Sequence, residues 1–181
     1  TPTAERASGS PISGMQTWIA LPDGKEEIDP AFEHVAKEDL PLVETDGVSA
    51  RIIMGSLWGN TAPTTQHSAT IYADILMNAG SAMPIDAEAD ERAILVAIGD
   101  ASLDGERLET HALYILKPGV AMTLRAESDA RVMLLGGEAF ATPRHVWWNF
   151  VSSSQARLDQ AKEDWKQGRM KLPAEDDLEF I

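Results

Sequence analysis

An all-β fold, an antiparallel sandwich or barrel closed by one helix, is predicted by three features of this sequence. Short runs of alternating apolar and polar residues fill the middle of the chain, turn signals carrying glycine or proline separate them, and a long helical pattern follows only after residue 152. The clearest run is 70–77, where Ile71, Ala73, Ile75 and Met77 share one face and Thr70, Tyr72, Asp74 and Leu76 the other. That is the period of two of a half-buried strand. Further strands are expected at 48–54, 92–98, 111–116, 120–126 and 131–135. Between or beside them stand Asp46-Gly47, Asn78-Ala79-Gly80, Gly99-Asp100, Asp104-Gly105, Lys117-Pro118-Gly119 and Gly136-Gly137, all read as turns.

Two helices are expected outside the strand region. A short linker helix is predicted within 29–41, because Asp29-Pro30 supplies an acidic cap and a proline at the first helical position, Phe32, Val35 and Ala36 are apolar, and Pro41 stops it. A second is predicted after Ser152-Ser153-Ser154, any of which can cap, with Leu158, Ala161 and Trp165 on one face and Gly168 as its stop. Residues 14–22 read as a strand apolar on both faces, expected to join a sheet whose other strands this chain lacks. The end of the chain, with Glu175, Asp176, Asp177 and Glu179, reads as a solvated acidic tail.

Composition narrows the function. The 181 residues include 15 basic and 29 acidic ones, a net charge of -14, which repels phosphate backbones and argues against direct binding to nucleic acid or anionic membranes. With no cysteine, disulfides, thiolate metal sites and cysteine nucleophiles are excluded. No run of eighteen apolar residues could span a bilayer as a helix. The start, Thr1-Pro2-Thr3, is not a basic segment leading into an apolar one, so a cytoplasmic protein is expected. There is no Gly-x-Ser-x-Gly elbow and no phosphate-cradling glycine loop.

His34, His67, His111 and His145 are too scattered for two of them to be aimed at one ion from a single strand or helix. Gly80, however, is followed after five residues by Asp86-Ala87-Glu88, then by Arg92 and Gly99, and Met122 follows the Lys117-Pro118-Gly119 turn. The spacing resembles the metal motif of cupin barrels, and the resemblance puts Asp86, Glu88, Arg92 and Met122 at or near its ligand positions. Their chemistry departs from it, because carboxylates, a guanidinium and a thioether do not make an imidazole-rich iron or copper site. Asp86 and Glu88 are expected on one strand face with Arg92 as their charge partner, a solvated acidic edge of a metal-free barrel. No catalytic, cofactor-binding or metal-binding residue is assigned.

The most specific segment is Thr142-Pro143-Arg144-His145-Val146-Trp147-Trp148-Asn149-Phe150-Val151-Ser152-Ser153-Ser154, an aromatic strand delivered into a capped helix, its tryptophans read as packing anchors. It resembles the C-terminal part of the pirin family of bicupins. Leu135-Gly136-Gly137-Glu138, residues 14–22 and the closing Asp177-Leu178-Glu179-Phe180-Ile181 resemble pirin segments in the same order.

The resemblance implies a cupin-type barrel or jelly roll at 42–151, preceded by the last strands of an N-terminal cupin at 1–28 and the linker at 29–41, and followed by the helix and tail at 152–181. It also implies that the family's single iron lies in the N-terminal cupin, held by three histidines and a glutamate that have no counterparts here. This chain alone is therefore expected to hold no cofactor and to be non-catalytic. It would pack against or regulate a metal-bearing cupin, with that N-terminal half or a second copy of the chain as partner. The alternatives implied are part of a quercetin dioxygenase whose metal site lies outside this chain, and an interaction module engaging a regulatory protein in transcriptional co-regulation.

Overall fold

The structure is a computed structural model describing residue 9 and residues 13–170. In chain order its strands are β1 (Leu42–Thr45), β2 (Val48–Met54), β3 (Ser56–Leu57), β4 (Asn60–Thr61), β5 (Thr70–Met77), β6 (Ala82–Ile85), β7 (Glu91–Ile98), β8 (Ala101–Leu103), β9 (Glu106–Leu108), β10 (Leu113–Ile115), β11 (Met122–Ala126), β12 (Ala130–Gly137), β13 (His145–Trp147) and β14 (Phe150–Ser152). A six-stranded antiparallel sheet runs β1-β2-β5-β12-β7-β10, and a four-stranded one runs β6-β11-β8-β9. Contacts divide the chain into two units, Leu21–Pro143 and the combination of Thr1–Ala20 with Arg144–Ile181.

Alternation along the strands makes the core of the first unit. Val48 and Ala50, Ala73, Ile75 and Met77, Ile94 and Val96, and Val132 and Leu134 form one wall. Met83, Ile85, Ala101, Leu103, Leu124 and Ala126 form the other. Ile75, Ile85, Ile94 and Leu124 are fully buried, each worth about 2 kcal/mol by area. The period of two predicted for 70–77 holds on the inner face from Ala73 to Met77, while Leu76 is exposed and Tyr72 is covered on the outer face. On that face Asp74 takes two hydrogen bonds from Arg131, at 2.9 Å to Nε and 2.7 Å to Nη2. The bond to Asp74 raises the pKa of Arg131.

Two expectations are corrected. Within 29–41 the described helix is only a single 3-10 turn, Lys37–Asp39. Tertiary bonds take the segment instead: Glu33 accepts from the Thr65 amide at 2.9 Å and from its hydroxyl at 3.2 Å, and Arg51 donates to the Lys37 carbonyl at 2.7 Å. Phe32, one of the apolar residues of the expected helix, is 93% exposed. Gly136-Gly137 is not a turn but the end of β12, paired with β5 on one side and β7 on the other. A Cβ on Gly136 would lie 2.2 Å from the Glu91 carbonyl oxygen and one on Gly137 2.4 Å from that of Ala69. These glycines permit close backbone approach within a central strand. Residues 14–22, expected to join a sheet whose other strands this chain lacks, are not in a strand here, and Met15, Trp18 and Ile19 are exposed. An extended segment becomes a strand only by pairing with an edge, and none pairs with it among the described residues.

The second unit contains the hairpin β13-β14, turned at Trp148-Asn149, and helix α1 (Gln155–Lys166). Ser154 caps the helix by accepting from the Arg157 amide at 3.3 Å, as the serine run predicts. Leu158 and Ala161 are buried, but Trp165, expected on the same face, is 48% exposed. The acidic tail lies outside the described residues. Among those described, no helix is long and apolar enough to cross a membrane.

Gly55, between β2 and β3, has φ +81°, and a Cβ there would meet the Thr70 carbonyl oxygen at 1.9 Å. Gly55→Ala therefore forces the β2–β5 register apart and should lower stability by roughly 2 kcal/mol or more, read from the midpoint of urea unfolding. An unchanged midpoint would contradict the close approach.

Candidate functional site

One end of the barrel gathers the residues that the motif spacing singled out, but not as a ligand set. The strand carrying Met83 ends at Ile85, so Asp86 and Glu88 lie in the loop to β7 rather than on one strand face. Arg92 lies on the inner side of β7 with Ile94 and Val96 and is 2% exposed. Its partners are backbone carbonyls, not the carboxylates expected. Nη1 donates to Asp86 at 2.6 Å and more distantly to Ile85 at 3.5 Å, while Nη2 donates to Lys117 at 2.7 Å and Val120 at 2.8 Å. Nε is buried with no partner among the described residues. Met122, two residues beyond Val120, pairs with Ile85 and packs against the apolar core.

The residues do not fit a metal. A guanidinium cannot ligate a cation, the thioether faces apolar packing, and among the described residues no three His, Asp or Glu side chains are grouped to hold an ion. The carbonyl partners of Arg92 were invisible to sequence reading, because every residue carries a carbonyl and only the fold selects four of them.

Glu88 instead borders an open groove of about 570 Å³, together with Asp90, Glu138, His67, Gln66 and the backbone around Gly55 and Gly137. Asp90 accepts from the Ala139 amide at 3.2 Å, and the Gln66 side chain accepts from the Thr70 amide at 3.2 Å. The groove brings one motif residue, Glu88, beside two carboxylates and a histidine that the spacing argument did not select.

The second unit carries a different kind of surface. Trp147, Trp148, Asn149, Phe150 and Trp165 line a cleft of about 340 Å³. Trp147 stacks on Phe150 with centroids 6.1 Å apart and planes 8° apart, and the Lys162 ammonium lies 5.2 Å from the Trp147 ring centre. Trp148, read from sequence as a packing anchor, is 80% exposed at φ 53°, a left-handed conformation costly for so bulky a residue. Lys162 also bonds Asp159 at 3.0 Å. That bond, with a second from Gln155, holds the Asp159 carboxyl below the usual aspartate range.

Two facing antiparallel sheets around an apolar core, with motif spacing at one end, define a cupin barrel. The model of the Pirin C-terminal cupin domain matches residues 72–171, and the chain belongs to the pirin family. A Pirin-like protein from Caulobacter vibrioides is 42% identical over 177 residues, which cover 97% of this chain and 61% of that protein. A structure of quercetin 2,3-dioxygenase from Acinetobacter baumannii matches at TM-score 0.76 and 29% identity, over 91% of this chain and 57% of the other. Another with the same name and source has a TM-score of 0.77 at 23% identity, over 82% of this chain and 54% of its own, and shows the shared fold alone. The chain spans 61% and 52% of the length of two curated relatives.

Because Arg92 engages carbonyls, Asp86→Asn and Glu88→Gln should each leave the unfolding midpoint nearly unchanged, within about 0.5 kcal/mol. A large loss from either would restore the ion-pair account. Since the folded-state pKa of Asp159 is depressed, its contribution is present above the unfolded pKa and is lost as pH falls through the lower folded value. Carboxyl NMR of Asp159 should titrate below the ordinary aspartate value of about 3.9; an ordinary midpoint would refute the Lys162 and Gln155 bonds.

Proposed function

We propose that this chain is a non-catalytic cupin module, without a metal of its own, that docks on a metal-bearing cupin barrel through its hairpin-helix unit. The observation that carries the reading is the exposed aromatic surface of that unit. Trp147, Trp148 and Trp165 are 43%, 80% and 48% exposed, and Val146 beside them is 62% exposed. Apolar clusters of this kind, rimmed by polar side chains, are characteristic of interaction sites. The unit's exposed Met15, Trp18 and Ile19 give it an extended segment free to pair with a strand edge.

Charge supports the same reading. Arg144, Arg157, Lys162, Lys166 and Arg169 outnumber Asp159, Glu163 and Asp164 between residues 144 and 170, in a chain that is strongly acidic as a whole. Such a surface complements an acidic partner. The filled barrel supports the non-catalytic half of the proposal, since Ile85, Ile94 and Leu124 are fully buried within its apolar core.

The similarity at 29% identity to a protein named quercetin 2,3-dioxygenase favours a second reading, in which the partner barrel performs that oxidation and this chain completes the enzyme. A redox metal handles dioxygen in such chemistry, and the ligand set must then come from the partner. The purified chain, supplied with ferrous iron, should not consume quercetin; steady turnover by the chain alone would overturn the non-catalytic assignment.

Docking is tested by titrating the chain with the part of the Caulobacter vibrioides relative that it does not match. Binding should be weakened more than tenfold by Trp148→Ser, in line with loss of an aromatic anchor. Unchanged affinity in Trp148→Ser would contradict the proposed surface, and a dimer of the chain alone that Trp148→Ser dissolves would assign the surface to a second copy.

A further inference from the structure

We propose that Arg92 is the resident cation of this barrel: its guanidinium occupies the oxygen-lined end where the motif spacing would put a metal, and so seals the barrel. The inference concerns the interior of one unit and stands apart from the docking proposal. The resemblance puts Arg92 at or near a ligand position of the motif, yet it is 2% exposed and forms no ion pair among the described residues. Its charge is balanced by carbonyl dipoles from two stretches of chain, 85–86 at the end of β6 and 117–120 before β11.

The chemistry of the cradle explains why a guanidinium suits it. Four of the five N–H donors of an arginine lie on its two terminal nitrogens, in a rigid planar fork. Here each terminal nitrogen serves two carbonyls, so four acceptors are met by one side chain without a carboxylate. Carbonyl oxygens are also the donors that hard cations prefer, but a guanidinium held by them offers no coordination position for a substrate and no redox chemistry. The strand beneath is fixed in place: the Leu116 amide donates to the Arg92 carbonyl at 2.8 Å, and on the other side β7 abuts Gly136, where a Cβ would lie 3.0 Å from the Arg92 Cα. The side chain thereby ties the β6–β7 loop to the β10–β11 turn across the barrel end.

The test is chemical rescue of the intact chain followed by thermal unfolding. Arg92→Ala should lower Tm by roughly 10 °C, because four carbonyls lose their donor and a cavity opens. Methylguanidinium at about 10 mM should recover part of that loss by binding the folded state, while methylammonium at the same concentration should not, and neither should raise the Tm of the native chain. Absence of rescue, or equal rescue by methylammonium, would overturn the proposal.

Should Arg92→Ala fail to fold, Arg92→Lys and Arg92→Met decide the matter. The lysine variant keeps the charge and the methionine variant keeps only apolar volume, so the expected order of Tm is native, then Lys, then Met. A methionine variant at or above the lysine variant would show that volume, not a cation, holds the barrel end, and would overturn the inference.

Discussion

Withdrawing a guanidinium from water is costly unless most of its donors find acceptors, and at Arg92, whose Nε finds none among the described residues, that requirement organises one end of the barrel. Four carbonyls turn inward to meet it, from the loop after β6 and from the turn before β11. Those segments flank β6 and β11, neighbours in the four-stranded sheet, whereas Arg92 itself stands on β7 in the six-stranded one. The interaction therefore links the two walls at a point where the apolar core ends. A guanidinium placed there would repel a second cation brought to the same carbonyls.

The backbone around β12 makes this geometry available. β12 pairs along its length with both β5 and β7, and its terminal glycines bring neighbouring backbones closer than any side chain would allow. Gly136 lies opposite Arg92 in the register, so the strand that carries the arginine is set by contacts on both flanks. The residues that resemble ligands in spacing are placed as a cross-link, Arg92, a packing side chain, Met122, and two loop carboxylates at Asp86 and Glu88.

Function is consequently expected where the chain is least self-sufficient. The barrel unit closes an apolar core between its two sheets, whereas the hairpin-helix unit buries Leu158 and Ala161 and leaves Trp147, Trp148 and Trp165 largely in water. A bulky residue held at positive φ in a two-residue hairpin turn, as Trp148 is, costs of order 1 kcal/mol or more, a cost consistent with a side chain presented for binding.

Sequence alone determined the elements whose cues are local. The strand at 70–77 matches β5, the strand at 48–54 matches β2, and the serine-capped helix begins at Gln155, because side-chain alternation and a capping hydroxyl are properties of neighbouring residues. The pirin resemblance rested likewise on contiguous segments, and the family match bears it out. Tertiary structure decided the rest. Residues 29–41 carry a cap and a proline stop, yet bonds from Thr65 and Arg51 hold most of the segment out of helix. Gly136-Gly137 reads as a turn until two partners are seen to press against it. Arg92 reads as the partner of nearby carboxylates, since sequence displays side chains and conceals which carbonyls a fold will turn toward them. Its true acceptors lie as far as 28 positions away in the chain, and only closure of the barrel brings them within hydrogen-bonding distance.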